Sequence, residues 1–270
     1  KVSNILYDTW STLDQEFFDN ARRKLDKKKI ITKPYDPKPH QKNAISLAHK
    51  YFVKENNSRG KLIFPCGSGK SLTGFWMMEK LKANSTVVAV PSLSLVKQTL
   101  EVYLKQVVAK NKNVKWLCIC SDEGIGKSDD VVTYTRDLPV PCTTDPDYIK
   151  KWLKDNKNDN IIIFTTYQSG RIIAQASKSL KFTFDLGIYD EAHKTVGKNE
   201  NLFSYLLFEE NISVKHRIFM TATERFYRGV RDDVLTMDDP DDYGDVFCHM
   251  SFKEAIEEDL LTDYKIITIE

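Results

Sequence analysis

Two short runs carry residues able to do chemistry together. The first is Phe64-Pro65-Cys66-Gly67-Ser68-Gly69-Lys70-Ser71. It follows an apolar strand pattern and opens a helical one. It matches the second half of G-x-x-x-x-G-K-[ST], with Phe64 where the first glycine would stand. A triphosphate needs a ring of backbone N–H donors at a helix N-terminus, where the helix dipole also favours anions. Gly67 and Gly69 let the backbone curl past Ser68 without Cβ clashes. Lys70 is long enough to reach the β- and γ-phosphates, and Ser71 can ligate Mg²⁺ through its hydroxyl. The competing reading is an accidental glycine-rich turn, and the strand–loop–helix context argues against it.

The second run is Leu186-Gly187-Ile188-Tyr189-Asp190-Glu191-Ala192-His193, an apolar stretch ending in two carboxylates. In a parallel sheet the C-terminal ends of strands line the ligand crevice. Asp190 is expected to hold Mg²⁺, directly or through water, and Glu191 to orient and deprotonate an attacking water. His193 is expected to couple this site to a neighbouring segment. A capped helix start with dipole-favoured acids would explain the same residues. The phosphate loop earlier in the chain makes the catalytic reading the stronger one.

These runs need strands and helices to hold them. Apolar runs at 61–64, 86–90, 114–120, 160–165, 186–190 and 217–221 predict strands. Amphipathic segments at 71–82, 93–108 and 146–154 predict helices between them, the last opened by Asp145-Pro146. The alternation predicts an α/β domain with a mostly parallel sheet and helices on both faces. Upstream, a helix is expected over 11–29, a Pro-rich connector over 32–39 and a further helix over 41–54. The stretch 121–144 has no steady period and reads as a long functional loop.

Composition narrows the class. With 41% apolar and 29% charged residues the chain is globular rather than disordered. No uncharged apolar run approaches the roughly 18 residues of a membrane span, so no membrane partner is expected. Lys+Arg 40 against Asp+Glu 38 permits a nucleic-acid partner without demanding one. The basic run 22–29 reads as a solvated helix face or a nucleic-acid patch. Five cysteines without a C-x-x-C pair argue against a disulfide framework or a zinc site and for an intracellular, cytoplasmic setting, a viral or host cytoplasmic compartment included. Lys1 in place of Met is what a piece of a longer or processed chain would show.

Together the phosphate loop, Asp190-Glu191-Ala192-His193 and Thr221-Ala222-Thr223 resemble the first RecA-like, DEAH-box-type domain of superfamily 2 helicases and translocases. Pro39-His40-Gln41 looks like the upstream segment whose glutamine reads adenine. Pro91 to Gln98 looks like the nucleic-acid-contacting motif after the second strand, which carries Ser92 and Lys97. Thr165-Thr166-Tyr167-Gln168-Ser169 looks like a further backbone-contacting motif. The tail from Met237 to Lys265 is similar to predicted helicases of large restriction–modification enzymes and large DNA viruses. The resemblance implies a P-loop NTPase fold, ATP and Mg²⁺ as cofactors, Thr221 and Thr223 as a relay to nucleic acid, and DNA, or else RNA, as partner. It also implies an N-terminal helical extension over 1–33, a motor domain over 34–263, and a junction over 264–270 to a second RecA-like domain that bears an arginine finger. Glu224 departs from it, standing where many relatives have proline.

Residue by residue, simpler readings stand beside these. Gln41 could be a solvated polar residue. Ser92, Thr165 and Thr166 could be helix caps. Tyr167 could stack on a base or pack in the core. Thr221 and Thr223 could be ordinary β-formers. For function, the leading expectation is an ATP-hydrolysing motor acting on nucleic acid. The alternative is an ATP-gated nucleic-acid sensor without unwinding activity, which has no need of a water-activating Glu191. A nucleotidase with no nucleic-acid partner would leave the Ser/Thr motifs without a task.

Overall fold

The computed structural model describes residues 33–121, 135, 138, 142–198, 202–227 and 234–263. The expected helix at 11–29, the basic run 22–29, most of the stretch 121–144 and the junction 264–270 lie outside the described residues. The principal strands are β1 (Arg59–Ile63), β2 (Ser85–Val90), β3 (Lys115–Ile119), β4 (Ile161–Thr166), β5 (Phe184–Asp190), β7 (Val214–Thr221) and β9 (Asp245–His249). They form one sheet in the order β3-β4-β2-β5-β7-β1-β9, with every pairing parallel. Before β1 comes α1 (Pro39–His49); between the strands run α2 (Lys70–Lys80), α3 (Leu93–Ala109), α4 (Pro146–Asp155) and α5 (Gly170–Ser179), and after β7 come α6 (Pro240–Tyr243) and α7 (Phe252–Glu257).

Both faces of the sheet are covered, which is why its strands are apolar at consecutive positions rather than at alternate ones. Val88, Val90, Ile162 and Phe164 face a cluster built with Ala44 and Ala48 of α1, Phe75 of α2 and Leu100 and Tyr103 of α3. Val87, Ala89, Ile161 and Ile163 face a second cluster with Ile149 and Leu153 of α4 and Ile173 and Ala174 of α5. The six strands expected from the sequence form at their places, with ends shifted by at most three residues.

The departures are local. α1 starts at Pro39, where the fixed proline φ suits a first helical turn, and the Lys38 N–H donates to Gln41 Oε1 at 2.9 Å. Its continuation, Lys50–Lys54, is a π-turn rather than α-helix. Strand β9 was not expected, because only two of its five residues are buried at the sheet edge and the apolar signal is short. A separate antiparallel pair joins β6 (Gly197–Lys198) to β8 (Val234–Leu235). Among the described residues no helix is long and apolar enough to cross a membrane.

Candidate functional site

Parallel register brings the ends of five strands to one edge. Ile63, the last residue of β1, pairs with Thr221, the last of β7. Asp190, the last of β5, pairs with Met220. On the other side Val90 of β2 pairs with Thr166 of β4. Segments 64–71, 190–193, 221–223, 92–97 and 165–167 therefore leave the sheet on the same side.

The loop after β1 has the shape its residues call for. Gly67 and Gly69 adopt φ of 85° and 83°, the left-handed region that glycine reaches at no steric cost. Gly69 is the N-cap of α2 and supplies no side-chain cap, which leaves the first N–H groups of the helix for a ligand. Ser68 Oγ donates back to the Pro65 carbonyl at 2.7 Å and holds the curl closed. Gln41, expected to read adenine or to be solvated, is buried. Its Nε2 reaches the carbonyls of Ser68 and Gly69 at 3.4 and 3.3 Å. His40 Nε2 lies 3.0 Å from the same Ser68 carbonyl. That second brace escaped the sequence reading, although it is adjacent to Gln41.

Four charged or polar groups meet at the mouth of the loop. Lys70 is buried, with Nζ 3.6 Å from Glu191 Oε1 and 3.3 Å from the Phe64 carbonyl. Glu191 Oε2 lies 3.4 Å from His193 Nδ1, and that nitrogen lies 3.0 Å from Thr221 Oγ1. Thr221 Oγ1 donates to the Thr223 carbonyl at 2.9 Å. The chain Lys70–Glu191–His193–Thr221–Thr223 thus joins three motifs, the first more than a hundred residues before the second and the second 28 residues before the third. Glu191 adopts φ 51° and ψ 43°, a left-handed conformation that costs a non-glycine residue free energy. That turn aims its carboxylate at Lys70.

Asp190 is buried, and its carboxyl is pushed up to about 6, first by burial and then by the charge of Glu191. Lys70, the Glu191 N–H and the Ser71 hydroxyl pull the other way. The Ser71 hydroxyl is near enough to Asp190 to lower its carboxyl, which puts two hard oxygen ligands in one place. Mg²⁺ is ordinarily held by one or two such groups plus substrate phosphates, so the donor set fits Mg²⁺–ATP. No cluster of three His, Cys, Asp or Glu side chains exists among the described residues, so the protein has no metal cage of its own there. Burial also lowers the His193 imidazole below its ordinary value, against the pull of Glu191, which favours the neutral ring.

The segment expected to contact nucleic acid is less open than the sequence suggested. Thr165 is fully buried, and its single hydroxyl proton has the Ile119 and Thr166 carbonyls within reach at 2.9 and 3.0 Å. Thr166 is 6% exposed, and its oxygen accepts from the Ser169 N–H at 3.3 Å. Tyr167 packs in the core and donates to the Asp190 carbonyl at 2.7 Å, bracing the carboxylate strand end. Ser92 caps α3 by accepting from the Leu95 N–H at 3.4 Å, and its proton is left for another acceptor. Lys97 is half-buried one turn further on.

A parallel sheet covered on both faces, a glycine-lined anion loop and paired carboxylates at the strand ends define a RecA-like P-loop ATPase domain of the helicase type. A family model described as "Type III restriction enzyme, res subunit" matches residues 34–226, and the chain belongs to that family. It is 27% identical over 229 residues to "Probable helicase A859L" of African swine fever virus (isolate Tick/Malawi/Lil 20-1/1983), covering 84% of this chain and 23% of the relative. Among solved structures it resembles "ATP-dependent Type ISP restriction-modification enzyme LlaBIII bound to DNA", with TM-score 0.72 and 28% identity over 95% of this chain and 17% of that one. It also resembles a nuclease-deletion mutant of the Type ISP enzyme LlaGI in complex with a DNA substrate mimic, with TM-score 0.67 and 28% identity over 84% of this chain and 21% of that one. The chain thus spans about a fifth of the length of these relatives.

Proposed function

We propose that this chain is the ATP-hydrolysing motor domain, over 34–263, of a DNA helicase or translocase. The observation that carries the proposal is the run of polar contacts from Lys70 through Glu191 and His193 to Thr221 and Thr223, ion-pair contacts at 3.6 and 3.4 Å followed by hydrogen bonds at 3.0 and 2.9 Å. It links the anion loop to a segment with no part in holding nucleotide. Bound Mg²⁺–ATP supplies the phosphoanhydride bond to be cleaved and the cation that offsets its charge. The N–H groups of Gly67, Ser68 and Gly69 and the Lys70 ammonium hold the phosphates. Ser71 and Asp190 hold the cation. Glu191 orients a water and accepts its proton, and His193 passes the position of Glu191 on to Thr221. Gln41 braces the loop and borders the nucleobase.

The DNA-contacting surface is the edge carrying Ser92, Lys97 and Thr166. Hydroxyls, N–H groups and one lysine suit phosphate oxygens and carry no base information. Thr165 contributes by fixing this turn, since its hydroxyl is already spent. A sensor without turnover would have no use for Glu191 held in a costly backbone conformation beside the Mg²⁺ ligand. A second RecA-like domain with an arginine finger would complete the site, so the 270-residue chain alone should turn over ATP slowly.

The test is ATP turnover by the full-length protein with single-stranded DNA, duplex DNA or RNA. Stimulation by DNA is expected. Stimulation by RNA alone would reassign the partner, and turnover indifferent to all three would sink the motor reading.

A further inference from the structure

Lys61 is the one charged residue of β1 beyond its first position, Arg59. The strand lies inside the sheet, with Lys61 opposite Phe219 of β7 and Val246 of β9. Leu62 belongs to the first core cluster, so Lys61 faces the other side, where Met237 is packed. Its side chain is 7% exposed, and lysine is almost never buried so deeply without a partner. The ammonium donates to Glu224 Oε1 at 2.7 Å and to the Met237 carbonyl at 2.5 Å. The Glu224 side chain is itself 25% exposed.

A buried ion pair is weak evidence for stability. Replacing a buried ion pair by apolar side chains of similar volume is often neutral or stabilising. What the pair does is place a segment. Residues 222–227 have no regular secondary structure, and they begin directly after the Thr221 hydroxyl that meets His193. They are fastened to 236–237 by Met237 N–H to the Arg225 carbonyl at 3.2 Å and Tyr227 N–H to Thr236 Oγ1 at 3.0 Å. Preceding that attachment, β8 pairs with β6, just past His193. Lys61 joins this arm to the strand that runs into the phosphate loop, three residues before Phe64.

We propose that Lys61 and Glu224 are positioning residues of the motor. Their ion pair holds the arm bearing Thr223 and Arg225 at the nucleotide edge and sets how strongly DNA stimulates ATP turnover. The proposal rests on the motor reading above and adds to it a pair that touches neither ATP nor DNA. With the pair intact the arm has one position relative to β1. With both members apolar the fold persists and the arm is freed.

The experiment uses the full-length protein, as parent, Glu224→Gln and the double variant Lys61→Met/Glu224→Leu, in which no charge is stranded. Four quantities are measured: thermal midpoint, affinity for a fluorescent ATP analogue with Mg²⁺, and kcat with and without saturating duplex DNA. The double variant leaves the Met237 carbonyl without its donor, so its thermal midpoint is expected to fall by a few degrees. It should still bind the analogue within about twofold of the parent, while DNA-stimulated kcat falls about tenfold and unstimulated kcat falls less. Glu224→Gln should show the same split at about threefold, and it decides the matter if the double variant does not fold. A folded variant stimulated by DNA as strongly as the parent overturns the proposal. So does a loss of analogue affinity that matches the loss of kcat, because the pair would then be a plain brace of the phosphate loop. A parent that DNA does not stimulate overturns the motor reading first, and this proposal with it.

Discussion

The two edges of one sheet spend their polar groups differently. At the N-terminal edge most are consumed by the fold, with the buried Arg217 Nε an exception. Buried Arg217 pairs with Glu209 at 2.8 Å and donates to the Val214 and Ile212 carbonyls. Arg59 donates to the Asp242 and Leu207 carbonyls at 2.7 and 2.9 Å. Asp185 takes the N–H groups of Asn84 and Ser85 and pairs with Lys215. Those partners hold its carboxyl below the usual range although burial pushes it up. At the C-terminal edge the groups stay in reach of a ligand. Lys70 and Glu191 stand at 3.6 Å, longer than a good charge-assisted hydrogen bond, and Asp190 is held near 6 by burial beside a like charge. The same backbone pattern thus makes a closed end and an open end, and the proposed function uses the open one for binding and catalysis.

Substitutions can break that contrast, and the largest effects belong to the open edge. Glu191→Gln should lower kcat about 10²–10⁴-fold, the usual worth of a general base, and leave Mg²⁺–ATP affinity near that of the parent. Lys70→Ala should weaken Mg²⁺–ATP binding by more than about 100-fold, or about 2.7 kcal/mol, because the phosphate charge loses its neutralising partner. Titration with a fluorescent analogue and single-turnover kinetics separate the two, and normal affinity in Lys70→Ala would refute the loop assignment. At the closed edge, Arg217→Ala should cost about 3–5 kcal/mol of stability in denaturant titration, since two backbone carbonyls lose their donor and a large side chain is removed. ATP affinity in that variant, measured well below its unfolding transition, should match the parent. A shift beyond about threefold would show that the two edges are coupled.

A smaller effect tests the shape of the loop. An alanine Cβ at Gly69 would fall 2.6 Å from Gln41 Nε2, in a backbone conformation that L residues rarely adopt. Gly69→Ala should weaken ATP binding about tenfold, on the order of 1–2 kcal/mol for forcing a non-glycine residue there. Smallest of all is a readout of accessibility. Cys66 is exposed inside the loop, so bound Mg²⁺–ATP should slow its labelling by a maleimide severalfold. Equal rates with and without nucleotide would place the phosphates elsewhere.

What could be read from the chain follows from how local each feature is. The strands announced themselves because both faces of the sheet are covered, and the helix after the loop because it opens straight from the glycine turn, although Thr73 to Met78 are buried consecutively rather than on one face. β9 did not, because a short edge strand with two buried residues has little period to show. The phosphate loop and the paired carboxylates were legible because each is a run of adjacent residues whose types are dictated by one ligand. Gln168 and its neighbours were harder: Thr165, Thr166 and Tyr167 read as a contact motif, yet the hydroxyls of Thr165 and Tyr167 are spent on backbone carbonyls inside the protein.

The sequence by itself determined the class of chemistry, since glycines, a lysine, a serine and two carboxylates in those runs can serve an anion and a cation and little else. The tertiary structure decided which of the remaining polar residues belong to that chemistry. Lys61 meets Glu224 across 163 residues, and Gln41 meets Gly69 across 28. Neither pair leaves a periodic or compositional trace. A lysine in a strand is the same letter whether it faces solvent or a half-buried carboxylate, and only the stacking of β1 beside β7, with the arm folded over its far face, takes the ammonium out of water and makes the charge find its partner.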